Sequence, residues 1–256
     1  MPPPPAGQPV PPPPSGLQPP PGYVAYQGQP TPATPLGRIG GLSKAIVILT
    51  ALVAVGTILT ALLNFTVVDS ADDFLAGNID EDTFVGDYAI VLLGQGVASI
   101  AQLALGITSV IWLFRVAKNL RSYGRTTTWA PIWAVFGWIL PPVLIIIPFL
   151  MVREVWRASD PQSTYGSDSW KQSPNPNNVL AWFLVYGVGS VVIAIAQAGS
   201  AISLGIGGTT EDLAESISDF GTLGLIAAAQ IVISAALWIM VVRDTSARHM
   251  QLTGER

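Results

Sequence analysis

Residues 112–161 read WLFRVAKNLRSYGRTTTWAPIWAVFGWILPPVLIIIPFLMVREVWRASDP. This stretch joins the end of one apolar run to a proline-broken apolar segment, and then to a Trp-rich amphipathic piece. It carries six of the twelve basic residues, Arg115, Lys118, Arg121, Arg125, Arg153 and Arg157, and Lys171 follows in the next loop. Five of the eight Trp lie in it. Its centre, 129–151, is apolar but holds Pro131, Pro141, Pro142 and Pro148. A mid-membrane Pro pair removes two backbone donors and clashes with the preceding turn. Trp129–Leu140 and Val143–Met151 are each shorter than the roughly 20 residues a crossing helix needs. The segment is therefore one kinked span or a re-entrant hairpin, whose non-helical backbone protein or water must cover.

Outward from this stretch lie four uninterrupted apolar runs. Residues 45–68 and 88–114 precede it, and 179–206 and 220–242 follow. Each exceeds a ~30 Å hydrocarbon core at ~1.5 Å per residue. Gln95, Gln102, Gln197 and Gln230 sit inside them, where an amide seeks a partner helix. Ser190, Ala194 and Ala198 recur four apart, a small-residue face suited to close packing.

Charge decides the threading. The stretch 69–87 has seven acids and no base, and 207–219 has four acids and no base. If 129–151 is a hairpin, all twelve basic residues fall on the opposite side from these two acidic loops. That arrangement obeys the positive-inside rule, with both termini cytoplasmic in a multi-pass protein of the cell membrane. If 129–151 crosses, there are five spans, and Arg153, Arg157 and Lys171 become external. The four-span threading is the expectation. A weak internal symmetry agrees with it: helix, acidic loop, helix and basic end occur twice, with Gln102, Trp112 and Arg115 echoed by Gln230, Trp238 and Arg243.

The composition agrees. Half the residues are hydrophobic, 11% are charged, and mean hydropathy is +0.50; soluble domains carry about 25% charged residues. Residues 1–36 hold fifteen of the 22 Pro and no charge, which predicts a disordered, polyproline-like tail. The domain division expected is a cytoplasmic tail over 1–40 and a helical membrane domain over 41–250. The tail is either a solvated spacer or a ligand for a proline-binding domain of a cytosolic protein.

Chemistry is sparsely represented. There is no Cys, and His249 is the only His, so His-based triads and most transition-metal sites are excluded. No phosphate-binding loop, nucleophile elbow or dinucleotide fingerprint occurs. No catalytic residue, cofactor, metal or nucleic-acid partner is expected. No charged residue lies deep in the four spans, which argues against a proton-coupled pump but not against a passive pore. The informative constellation is Trp112, Arg115 and Asn119, spaced to share a helix face, with Glu154, Trp156, Arg157 and Ser159 beyond Pro141 and Pro142. One expectation is that Arg115 and Glu154 pair and clamp the hairpin to the second helix. The plainer one is interfacial Trp with snorkelling Arg. A third is headgroup or anion binding by the basic cluster.

At WLFRVAKNL (112–120), WAPIWAVFGWILPPVLIIIPFLMVREVWRASDP (129–161), VLAWFLVYGVG (179–189) and VVRDTSARHM (241–250) the chain resembles the DUF4328 membrane proteins, common in actinobacteria. The resemblance covers roughly 40–250. One departure is Val143-Leu144-Ile145, where the family often has Asn, so a polar contact in the hairpin is absent. The resemblance implies a multi-pass membrane protein of unknown function and supplies no activity to carry over. The expected architecture is an all-α integral membrane bundle of four transmembrane helices, a re-entrant segment and a Pro-rich tail. The expected role is a non-enzymatic scaffold or a partner- or lipid-binding protein. The alternative is a channel or transporter for a small solute.

Overall fold

A computed structural model of the chain describes residues 35–138, 146–198, 208–219 and 221–255. The described residues are helical, with no strand among them. Helix α1 is Gly40–Leu75, α2 is Glu81–Ser122, α3 is Trp133–Phe136 and α4 is Ile146–Ala158. A 3₁₀ turn at Ser169–Gln172 leads to a third long helix, built from α5 (Asn177–Trp182), a π-helical turn (Phe183–Val188) and α6 (Gly189–Ala196). Helix α7 is Thr210–Ser218 and α8 is Gly221–Thr253.

Four of these elements are long and apolar enough to cross a membrane: α1, α2, the Asn177–Ala196 helix and α8. Their outer faces are apolar. Leu93, Val97 and Ile100 on α2 remain 73%, 72% and 71% exposed. Left in water, such surface costs about 25 cal/mol per Å²; against acyl chains it costs nothing. The pieces of the proline-broken segment are too short to cross, with 4 residues in α3 and 13 in α4. Pro141 and Pro142 lie outside the described residues. A Cβ on Gly137 would lie 2.8 Å from Cγ2 of Ile147. In a straight helix those two positions would be about 15 Å apart.

The helices overrun the apolar runs. Residues 69–75 and 81–87, expected as parts of one acidic loop, are instead the end of α1 and the start of α2. Capping explains the difference. The Asp80 carboxylate accepts the Thr83 N–H at 2.9 Å, and Glu81 and Asp82 occupy the first turn of α2, where the helix dipole favours acids. The second acidic stretch is also mostly helical, because Thr209 and Asp212 form a reciprocal capping box at the start of α7. The third span, expected over 179–206, starts at Asn177 and is described as helix to Ala196; residues 199–206 lie outside the described residues.

Helix α1 packs along α2, α8 and α7. Two apolar cores follow. One lies at the end bearing the basic residues and includes Trp112, Leu120, Met151, Val155, Trp182 and Trp238. The other lies at the acidic end and includes Val67, Ala71, Phe84, Val91, Ala214 and Ile217. Phe74 stacks on Phe84 at 5.2 Å there. The echoed Trp112 and Trp238 meet edge to face, 6.0 Å apart at 84°. Midway between the cores the helices stand apart and leave a space.

Candidate functional site

That space is a cavity of about 1280 Å³. All four long helices wall it, through residues such as Thr57, Asn64, Gln102, Ser190, Gln230 and Trp238. None of its described lining residues is charged. Much of its polarity is already spent. Thr57 donates to the Val53 carbonyl at 2.9 Å, and Asn64 donates to the Thr60 carbonyl at 2.9 Å, each within its own helix. The Gln230 amide donates to the Val185 carbonyl at 2.8 Å and to the Ser190 hydroxyl at 3.1 Å. Val185 lies in the π-helical turn, a feature that recurs at functional sites. Ser190 and Ala194, expected with Ala198 as a packing face, line the cavity, and Ser190 also meets Gln230 of α8.

Two donors on lining residues have no partner among the described residues: the Ser109 hydroxyl and the Trp138 indole N–H. Both atoms are buried in the wall and not open to the cavity. Ser109 is only 7% exposed. A buried polar group without a partner costs about 1–3 kcal/mol.

Next to the cavity, towards the basic end, lies a smaller pocket of about 520 Å³. Arg115 and Lys118 line it together with Gly37, Phe114 and Asn119. Val110, Ile111 and Val135 belong to both spaces.

The constellation expected around Trp112 is brought together in part. Trp112 is buried, and its indole N–H donates to the Ser246 hydroxyl at 2.9 Å. Asn119 is buried and holds the segment before α1: it accepts the Gly37 N–H and donates to the Gly37 carbonyl, both at 2.8 Å. Its amide also reaches Nε2 of His249 at 3.1 Å, and Nδ1 of His249 lies 3.3 Å from the Ser159 hydroxyl. The Glu255 carboxylate accepts the N–H groups of Ile39 and Gly40 at 3.0 Å, at the positive start of α1. Burial pulls the pKa of His249, beyond the apolar run 220–242, down to about 4, with Glu255 partly offsetting it.

The expected Arg115–Glu154 pair does not form. Arg115 is exposed and donates to the Arg38 carbonyl at 3.1 Å. Glu154 instead accepts the N–H groups of Thr128 at 2.7 Å and Trp129 at 3.1 Å. The carboxylate finds unpaired backbone donors just ahead of α3, a closer match than a cation pointing outward. Glu154 still ties α4 to the chain entering the broken segment, but through backbone.

Trp156 donates to the Asp244 carboxylate at 2.5 Å, and the Arg248 guanidinium covers its ring at 3.9 Å. Arg248 also meets Asp160 at 3.7 Å. Burial raises the Asp160 pKa, but hydrogen bonds from Ser173 and Gln162 and the charges of Arg248 and Arg125 outweigh it and hold the carboxyl below its usual range. Arg157 is half-buried, and its Nε has no partner among the described residues.

Two residues carry more structure than their sequence context announces. One is His249. The other is Arg125, 2% exposed, whose guanidinium takes the carbonyls of Ser163 at 2.8 Å, Thr164 at 2.9 Å, Ser167 at 3.2 Å and Asp160 at 3.4 Å. A repeat of small polar and His positions on one face, Thr245, Ser246 and His249, was the available signal for the buried network.

Among the described residues, no three His, Asp or Glu side chains converge to hold a metal. The fold and these spaces define a helical, membrane-compatible bundle with a half-open cavity between its helices, uncharged along the described lining. The chain matches the family model described as a domain of unknown function, DUF4328, over residues 77–247, and it belongs to that family. The match begins just past α1, so the first helix lies outside it. No curated protein and no solved structure matches the chain.

Proposed function

We propose that this protein is a non-enzymatic membrane protein that binds a lipid or lipid-like amphiphile inside its helix bundle. The observation that carries the proposal is the cavity of about 1280 Å³, uncharged along its described lining. Its volume exceeds the roughly 300–1000 Å³ of sites for small molecules. An apolar chain fits such walls without desolvating a charge.

The proposed threading has four spans, with the basic residues and both termini on the cytoplasmic side of the cell membrane and 129–151 returning to the side it left. The nearness of Gly137 and Ile147 supports the return. The tail, residues 1–34, lies outside the described residues. Its proposed role is recruitment of a cytosolic protein with a proline-binding domain, tested by co-purification of a partner that is lost when residues 1–36 are deleted.

The test of lipid binding uses the full chain in an uncharged detergent and a neutral diacylglycerol with a fluorescent tail. Binding saturates in the native chain. Ala194→Trp, which fills the cavity from α6, weakens it by roughly tenfold while the helical circular dichroism is kept. Absence of saturable binding, or binding unaffected by Ala194→Trp, overturns the proposal.

Transport of a small solute is the second reading, favoured by the amides of Gln102, Gln197 and Gln230 on the cavity wall. The apolar cores at both ends of the bundle would then have to part.

A further inference from the structure

We infer that the cavity and the cationic pocket beside it form one site, and that its ligand is a lipid with an anionic headgroup. This rests on the reading of the cavity as a lipid site. Val110, Ile111 and Val135 wall both spaces, so the two adjoin along α2. Arg115 lies about 6 Å beyond Ile111 along the helix axis, and Lys118 follows a turn later.

Both cations are exposed, and neither forms an ion pair among the described residues. Arg115 gives one N–H to the Arg38 carbonyl at 3.1 Å, which orients the guanidinium and leaves further donors for an anion. Glu255, the acid on the neighbouring start of α1, is engaged by the N–H groups of Ile39 and Gly40. It does not neutralise the pair.

The chemistry changes in order along α2. At the membrane boundary stand two cations. About 9 Å deeper along the axis is Ser109, which lines the cavity. From there the walls are uncharged and largely apolar. A glycerolipid presents the matching series: an anionic phosphate, then acyl chains. A free anion matches only the first part, and a neutral lipid leaves the cations unused.

The experiment titrates the full-length chain in dodecyl maltoside with tail-labelled phosphatidylglycerol and tail-labelled phosphatidylcholine of identical acyl chains, reading fluorescence anisotropy. The neutral diacylglycerol runs alongside. The expected result is roughly tenfold tighter binding of phosphatidylglycerol than of phosphatidylcholine, lost at high salt. Arg115→Gln with Lys118→Gln abolishes the preference and leaves diacylglycerol binding unchanged. Arg153→Gln with Arg243→Gln, which removes the same charge elsewhere at the basic end, preserves it.

If the native chain binds diacylglycerol but shows no headgroup preference, this inference falls and the lipid cavity stands. The same holds if the preference survives Arg115→Gln with Lys118→Gln. If inorganic phosphate alone abolishes phosphatidylglycerol binding, the pocket serves a free anion, and the single-site inference falls. If no labelled lipid binds, the lipid cavity falls, and the inference with it. The salt dependence of the native chain decides the matter even where a double variant fails to fold.

Discussion

Asn119 donates its amide N–H to Nε2 of His249 across 3.1 Å. The orientation of that amide is fixed by Gly37, whose N–H must meet the Asn oxygen and whose carbonyl must meet the Asn nitrogen. Nε2 of His249 is therefore an acceptor, and the ring proton sits on Nδ1, facing the Ser159 hydroxyl. One side chain on α2 thus joins the entry to α1, the extension of α8 and the end of α4.

Asn119→Leu should remove this junction. It leaves the Gly37 backbone groups and Nε2 of the buried His249 ring without partners, at a cost of about 3 kcal/mol. The expected outcome is a clearly lower melting temperature in detergent with the helical content unchanged at low temperature. An unaltered melting temperature would show that the junction contributes nothing.

The same geometry sets a pH dependence. Burial lowers the His249 pKa to about 4, against an ordinary value of 6.5. The unfolded chain therefore takes up the proton first. Stability is full above about pH 6.5 and declines as pH falls towards 4, by roughly 3 kcal/mol over the whole window. Protonation also turns the Nε2 acceptor into a donor that faces the Asn119 amide. Melting temperatures at pH 7 and pH 5 check this. The native chain should lose stability at pH 5, and His249→Gln should lose much less.

Arg125→Lys should free the loop that follows α4. Four carbonyls of residues 160–167 converge on the planar guanidinium, and a single ammonium cannot span them. Hydrogen bonds to a charged group contribute about 1.5–3 kcal/mol each when buried. Trypsin should then cut at Lys171 much faster than in the native chain, while cleavage at Arg243 stays the same.

Gly137→Ala probes the broken segment. The added Cβ would lie 2.7 Å from the Trp133 carbonyl and 2.8 Å from Ile147. Overpacking of this kind costs about 1–3 kcal/mol. Gly96→Ala, in the interior of α2 with open space around its Cβ, is the control and should be neutral to stabilising. Equal melting temperatures for the two variants would mean that α3 and α4 do not meet there.

The sequence shows the four long helices because an apolar run of 20 or more residues has few other uses. It hides their ends. Asp80 and Thr209 turn acidic stretches into helix by capping, a local bond that hydropathy does not register. The Trp112 and Asn119 positions are legible as one helix face from their spacing, and the structure sets both against α8, Trp112 on Ser246 and Asn119 on His249, with Ser159 at the other ring nitrogen. Arg115 and Glu154 were paired by charge alone, and each found backbone groups nearer at hand. Arg125 looks like one more flanking cation until the loop folds over it. The cavity is invisible in sequence, because the Gln and small residues that line it read equally well as helix-packing residues.

The four-span threading, with the broken segment returning to the basic side, is the premise on which the lipid site and its cytoplasmic cations depend. The chain has no native Cys, so single cysteines report topology cleanly. Ala76, Thr164 and Glu211 are exposed, in the turn after α1, the loop after α4 and the first turn of α7. Each is replaced by Cys in turn, and intact cells are treated with a membrane-impermeant maleimide. Labelling at 76 and 211 with protection at 164 is the predicted result. Labelling at 164 with protection at 211 would mean five spans, place Arg153 and Arg157 outside, and contradict the threading.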